Sequence, residues 1–342
     1  VLFAPRVLPA LRPDVQQDPG PYADWVTQRE TARGSVAPRR TVTRTLCLVM
    51  VVEQEPPPET VLTLRSLQEQ SDPNWILRVA LAESHRPNFA ALLRASGTHP
   101  GSPNVEIFAL PGPGGGTQVF DIAMNGGAQT DVALIFPGDV WAPDAVSRMA
   151  SELTPTDVVY ADEDRTEADG SVSSPRLKPD YSPEFLLHSS YIGRPIAVGS
   201  TVAYRMASLG PLDPSNFEHD FALRACESAE RTVHIPEVLC HTTLDPGSDA
   251  AHTDHVVDAL RRRKETGHVD PGARPGSFVL RRAVPRETLV SIIVPFRDEP
   301  EFLRTCIETI DATKGSRPVE YLLVDNGSVL PETATLTDHL SD

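Results

Sequence analysis

The sequence predicts an α/β fold: a mostly parallel sheet flanked by helices, followed by the opening of a second, similar unit. Two observations carry this. Short apolar runs alternate with segments whose apolar residues recur every three or four positions, the pattern of buried parallel strands joined by helices. The chain also repeats itself. Residues 291–300 lie 244 positions after residues 47–56, and residues 320–328 lie 244 after residues 76–84. Glu55, Pro56 and Ser84 recur as Glu299, Pro300 and Ser328, whereas Pro295, Asp298 and Asp325 face Val51, Gln54 and Leu81. The first unit therefore has its polar strand-end residues eroded, and the second keeps them.

Taken in order, residues 1–40 read as an extended, proline-rich leader with one amphipathic patch at Tyr22, Trp25 and Val26. A first domain spans 41–266, a linker 267–288, and the start of a second domain 289–342. The first strand covers Leu46–Val52, and a helix follows with Val61, Leu64 and Leu67 on one face. The Ser-Asp-Pro-Asn turn at 71–74 leads into a second strand, Trp75–Leu81. A helix over 89–95, a strand over 105–110, the glycine-rich loop 111–116, a helix over 119–124 and a strand over 132–136 complete the alternating half. The pattern then changes. A helix over 145–153 precedes a short strand at 158–160 that runs into an acidic turn, and Asp169-Gly170 reads as a hairpin turn. Residues 185–187 and 196–204 bracket a turn-rich region. A helix over 221–229, a strand over 233–240 and a helix over 254–263 close the domain, the last with a basic end that suits the helix dipole. The start at Val1 and the stop soon after the repeated second strand read as a piece of a longer protein.

A net charge of −16 argues against nucleic acid as a partner, since phosphate binding needs a basic surface. The apolar run Leu46–Val52 is far shorter than the roughly 18 residues of a membrane span. Cys47, Cys226, Cys240 and Cys306 are scattered without a CxxC pair, which reads as reduced core cysteines in a cytoplasmic protein.

Four segments could carry chemistry. Asp162, Glu163 and Asp164 form a carboxylate cluster that could hold Mg²⁺ or Mn²⁺, or be a solvated acidic hairpin. Asp139, just past a strand, could contact a metal–diphosphate group or cap a turn. Glu218 and Asp220, placed immediately before a helix, could serve as helix caps or as the general base for a sugar hydroxyl. His241 follows a strand and is structural or a ligand. The loop at 112–116 lacks the phosphate-loop lysine and reads as a flexible connection.

Together these segments resemble the family 2 glycosyltransferases, nucleotide-sugar-dependent enzymes of GT-A fold. The likeness is to the long bacterial members that carry two such domains in tandem and act on cell-surface polysaccharide. It rests on residues 160–193, with Asp-Glu-Asp, Lys-Pro-Asp-Tyr-Ser-Pro and Tyr-Ile-Gly, on residues 234–241 ending in histidine, and on Tyr22, Trp25 and Glu30. It rests also on residues 291–298 and 322–328 of the second unit. The resemblance implies inverting transfer from a nucleotide-diphospho-sugar donor to a glycan or glycolipid acceptor, with Mg²⁺ or Mn²⁺. It implies a place in the cytoplasm or peripherally at the inner face of the cell membrane. Carried over, Glu218 falls on the catalytic base and Asp220 on the acidic residue beyond it, while Asp139 and His241 fall on metal positions. Glu83, Asp162, Asp164, Asp298 and Asp325 fall in the nucleotide-sugar site, with Asp325 on the aspartate that contacts the nucleotide base. The departures lie in the first unit. Phe136 and Gly138 replace acidic metal positions, Leu81 replaces the base-recognising aspartate, and residues 51–54 lack the opening proline and polar pair. These losses, on loops that converge on one pocket, imply that the first domain is degenerate.

Overall fold

The computed structural model describes Tyr22, Asp24, Trp25, Val26, Gln28 and residues 44–99, 101–110, 130–167, 170–212, 216–243 and 252–340. The glycine-rich loop 111–116, the expected helix over 119–124, Glu30 and Asp169 lie outside the described residues. The chain divides into two compact units that part between Leu280 and Arg281.

The first unit is built on β1 (Leu46–Val52), β2 (Trp75–Leu81), β3 (Val105–Ala109) and β4 (Asp131–Leu134), with α1 (Thr60–Gln68) and α2 (Arg86–Ser96) as crossovers. Strands β3, β2, β1 and β4 lie side by side in that order, all parallel. β1 shows why. Its alternate residues Leu46, Leu48 and Met50 enter one apolar cluster with Leu64, Leu67 and Phe89 of the two helices. The residues between them, Cys47 and Val49, enter another on the opposite face. A strand buried on both faces must be apolar throughout, and a helix must cover each side.

After β4 the chain adds β5 (Asp139–Trp141), α3 (Ala145–Glu152), β6 (Asp157–Thr166), β7 (Val172–Arg176), α4 (Pro183–His188), β8 (Ile196–Val198) and α5 (Ser200–Ala207). It continues through α6 (Phe217–Ser228), β9 (Arg231–Thr242), α7 (Asp254–Arg262), β10 (His268–Pro271) and β11 (Phe278–Arg281). The sheet runs on as β4-β8-β6-β9-β5, with β7 paired to β6. β8 is antiparallel to both β4 and β6, β5 is antiparallel to β9, and β6 and β9 are parallel. Helices α5, α6 and α7 supply Val202, Phe221 and Val256 to the core opposite α1 and α2.

Three expectations change here. The acidic triplet is not a turn: β6 is one continuous strand that carries Asp162, Glu163 and Asp164 inside it, and all three are buried. This rules out the solvated hairpin, although β6 does pair with β7 antiparallel from Glu163 onward. Helix α6 starts at Phe217, so Glu218 and Asp220 lie in its first turn and not ahead of it. The linker expected over 267–288 is in part a two-stranded hairpin, β10–β11, whose Val269 and Phe278 are buried in the first unit's core.

The second unit contains β12 (Val290–Phe296), α8 (Pro300–Thr313), β13 (Val319–Asp325) and α9 (Pro331–Leu340). β12 and β13 are parallel, starting from Val290 opposite Val319, just as β1 and β2 start from Leu46 opposite Trp75. Both strand starts keep the 244-residue offset, so the repeat extends from sequence to strand register. Leu303, Ile307 and Leu336 of the helices pack on Val294, Phe296, Tyr321 and Leu323. Among the described residues no helix is long and apolar enough to cross a membrane.

Candidate functional site

In open α/β sheets ligands bind beyond the carboxyl ends of the strands, where neighbouring strands lead their chains to opposite sides. In the first unit β1 and β4 meet at such a point: the chain passes from β1 to β2 and β3 on one side, and β4 returns on the other. The turn after β4 is held by hydrogen bonds from Gly138 N–H to Thr63 Oγ1 (2.9 Å) and from Thr243 Oγ1 to Gly138 O (3.0 Å). It delivers Asp139, 1% exposed, into a cluster of charged side chains.

The centre of that cluster is Arg194. Its Nη1 donates to Asp139 Oδ1 at 2.9 Å, and its Nε and Nη2 donate to Glu218 Oε2 at 3.3 and 3.2 Å. Its guanidinium carbon stands 3.9 Å from the centre of the Phe136 ring, close enough for a cation–π contact. Phe217 in turn meets Phe136 edge-on, with ring centres 6.3 Å apart. The other Asp139 oxygen, Oδ2, accepts the Phe136 N–H at 2.9 Å.

The loop that carries Arg194 is fixed from below. Arg194 N–H donates to Glu163 Oε2 at 2.9 Å, and Lys178 Nζ donates to the carbonyls of Arg194 and Ala161, both at 2.6 Å. Arg176 Nη1 lies 2.6 Å from Glu163 Oε1. Gly193 makes the close approach possible: with φ +50°, an added Cβ would lie 2.6 Å from Glu163 Oε1. A Gly193→Ala variant should therefore lose the roughly 1–2 kcal/mol of a left-handed L-residue, and more from the carboxylate contact. Urea denaturation followed by tryptophan fluorescence checks this, and a loss below about 0.5 kcal/mol would contradict the close approach.

The electrostatics follow from burial and these partners. Burial pushes Asp139 up to about 6, with Arg194 and the Phe136 N–H pulling against it. For Glu218 burial also acts upward, but the Arg194 charge and hydrogen bond, with Arg176 and Lys178 behind them, win and hold it below the usual carboxylate range. Burial pulls Lys178 down while Glu163 resists. For Arg194 burial is outweighed by Asp139 and Glu218, which drive it further up, so it stays charged.

Within the first unit the predicted residues separate into four places. Asp139 and Glu218 share Arg194. Asp220, two residues along α6, is fully buried and pairs with Arg224 Nε at 2.9 Å, away from Glu218. Asp162 accepts Lys178 N–H and faces His234 Nε2, both at 2.8 Å, while Asp164 faces His241 Nδ1 at 2.5 Å and accepts the Tyr22 hydroxyl at 2.8 Å. The β5–β9 ladder pairs Asp139 with Thr242 and Val140 with His241. Neighbouring positions of a ladder present their side chains to opposite faces, so Asp139 and His241 do not converge on one ion. Glu83 is 71% exposed and pairs with Arg86.

In the second unit Asp298 and Asp325 meet at the carboxyl ends of β12 and β13 through Ser328. Asp325 Oδ1 accepts Ser328 N–H and Oγ at 2.8 and 2.6 Å, and Asp298 N–H donates to Ser328 Oγ at 2.7 Å. Asp298 Oδ1 accepts the N–H groups of Val329 and Leu330 at 2.9 and 2.8 Å.

The metal implied by the resemblance does not fit the first unit. Among the described residues no three His, Cys, Asp or Glu side chains converge on a point that could hold an ion. At Asp139 a guanidinium already stands in hydrogen-bonding contact. A divalent ion about 4 Å from that charge would meet repulsion on the order of 8 kcal/mol at an effective dielectric near 20. Arg194, Arg176 and Lys178 were not among the predicted site residues, and Glu163 was read only as one member of the carboxylate cluster. Glu163, Arg176 and Lys178 lie inside the Asp-Glu-Asp to Lys-Pro-Asp stretch, and Arg194 directly follows its Tyr-Ile-Gly, so their positions were visible but their convergence was not.

No family model matches the chain. It is 27% identical over 342 aligned residues to O-antigen biosynthesis protein RfbC of Myxococcus xanthus, covering 94% of this chain and 26% of that one. It is 27% identical over 329 residues to the uncharacterized protein y4gI of Sinorhizobium fredii, covering 90% of this chain and 36% of that one. The chain thus spans about a quarter to a third of the length of these curated relatives. Solved structures similar to it include S. aureus TarS 1-349 in complex with UDP-GlcNAc, at TM-score 0.46 and 11% identity over 64% of this chain and 65% of that one. They include also the mannosyltransferase PcManGT from Pyrobaculum calidifontis in complex with GDP-Man and Mn²⁺, at TM-score 0.45 and 13% identity over 94% and 87%.

Proposed function

We propose that the chain is part of a glycosyltransferase that moves a sugar from a nucleotide-diphosphate donor to a growing polysaccharide or glycolipid. The observation that carries this reading is the similarity along 94% of the chain, both units included, to a protein named for O-antigen biosynthesis. In the inverting form of the reaction, a carboxylate takes the proton of the acceptor hydroxyl as that oxygen attacks the anomeric carbon and the nucleotide diphosphate leaves. On this reading Asp298 and Asp325 belong to donor recognition in the second unit. Their place at the carboxyl ends of paired parallel strands supports it.

For the first unit a second reading is favoured by a specific observation: it is a non-catalytic module that binds glycan or scaffolds its neighbour. Its one predicted base in the pocket, Glu218, is ion-paired to Arg194 and held below the usual carboxylate range, which weakens it as a proton acceptor.

Calorimetric titration of UDP and dTDP into the whole chain, with and without Mn²⁺, tests the donor reading. Binding of one of the two nucleotides is expected, weakened ten-fold or more by Asp325→Asn. If neither nucleotide binds the folded chain, or if Asp325→Asn changes nothing, donor recognition at Asp325 is wrong.

A further inference from the structure

We propose that Arg194 is the resident cation of the first unit's carboxylate pocket and that it keeps divalent metal out. Three observations converge on this. The position that could have offered a first metal-binding carboxylate is Phe136, and its ring is used instead as a seat for the guanidinium, 3.9 Å away. The second such position is Gly138, which has no side chain and serves the turn. The remaining carboxylate, Asp139, has one oxygen on Arg194 and the other on the Phe136 N–H. Glu218 completes a carboxylate–guanidinium–carboxylate bridge, the arrangement expected when a fixed organic cation neutralises one buried and one half-buried acid.

The Arg194 position is over-determined. Glu163 holds its N–H, Lys178 holds its carbonyl, and Gly193 allows the backbone to reach Glu163. With its main chain fixed, the guanidinium cannot swing aside for an ion without losing its own contacts to Asp139, Glu218 and the Phe136 ring. The charges also balance: Arg194, Arg176 and Lys178 face Asp139, Glu218 and Glu163. An added divalent ion would leave that set with excess positive charge.

The readout is metal occupancy alone, so the inference stands apart from the transferase reading. The whole chain is titrated with Mn²⁺, and free hydrated Mn²⁺ is followed by electron paramagnetic resonance. Wild type and Glu218→Gln are expected to give the same curve, because no site involves Glu218. Arg194→Gln is expected to bind one further Mn²⁺ at least ten-fold more tightly than wild type, and Glu218→Gln added to it should abolish the gain. Wild-type Mn²⁺ binding that Glu218→Gln removes would overturn the proposal, and so would a folded Arg194→Gln that gains nothing. If Arg194→Gln does not fold, the comparison of wild type with Glu218→Gln still decides.

Discussion

Asp220→Ala should cost the first unit about 3–5 kcal/mol of stability, the range for removing one partner of a buried ion pair. Asp220 is fully buried, and its carboxylate is the acidic partner of Arg224 Nε at 2.9 Å. Arg224 also donates to the carbonyls of Leu209 and Gly210, at 3.2 and 2.9 Å, so the pair fastens α6 to the segment that precedes it. Without the carboxylate a buried guanidinium keeps only neutral acceptors. The double variant Asp220→Leu/Arg224→Met should recover most of the loss, because an apolar replacement of both partners removes the uncompensated charge. The three tryptophans, Trp25, Trp75 and Trp141, all belong to the first unit, so their fluorescence in urea reports this unit alone. If Asp220→Ala alters stability by less than about 1 kcal/mol, Asp220 is not a structural pair and the active-site role that its position suggested returns.

That outcome also bears on what a sequence can disclose. The strands β1 and β2 are legible to the residue, because burial on both faces makes them continuous apolar runs bounded by turn residues. Strand β6 is not legible past Tyr160, since an acidic triplet looks solvated unless its partners are known. The partners come from elsewhere: Lys178 and His234 for Asp162, Arg176 and Arg194 for Glu163, His241 and Tyr22 for Asp164. No local periodicity encodes such distant pairs. The hairpin β10–β11 fails for another reason. Only Val269 and Phe278 in it are buried, too few apolar anchors to mark a strand among prolines, glycines and arginines. The candidate site was half visible. The carboxylates Asp139 and Glu218 stand out as acids at a strand end and a helix start. Arg194, which determines what they can do, carries no local signal of that role, because only the fold brings residues 139, 194 and 218 together.

Acid should weaken the first unit through a buried histidine pair, and the sign follows from the tautomers. His219 Nε2 faces the Leu186 carbonyl at 2.8 Å and therefore carries the hydrogen. Its Nδ1 is then the acceptor from His255 Nε2 at 2.9 Å, so the His219 ring is neutral. Phe278 stacks on His219 and meets His255 edge-on, closing the pair off from water. Burial first, and His255 next, pull His219 from 6.5 down to about 3, while Leu186, Asp220 and Glu218 pull the other way. Between those values the unfolded chain takes up a proton that the folded chain refuses. The contribution of His219 therefore declines as pH falls, by about 1.4 kcal/mol per unit below roughly 6.

Asp139 acts in the opposite sense. Raised from 3.8 to about 6, it holds a proton in the fold that the unfolded chain releases, so its contribution grows as pH falls through that window. The two slopes overlap, and a plain acid melt of the wild type would blur them. His219→Gln separates them, because an amide offers one donor and one acceptor in place of the ring yet does not titrate. At pH 7.5 the wild type should be the more stable of the two. By pH 4.5 its advantage should shrink by about 2–3 kcal/mol, read from tryptophan-detected unfolding at matched pH. A gap between wild type and variant that stays constant from pH 7.5 to 4.5 would mean that His219 is protonated in the fold or already exposed. The consequence reaches the site, because His219 directly follows Glu218 in α6 and is the ring that ties this turn to Leu186. Protonation of the pair would loosen the helix turn that presents Glu218 to Arg194 and, through Phe278, the hairpin that closes the first unit.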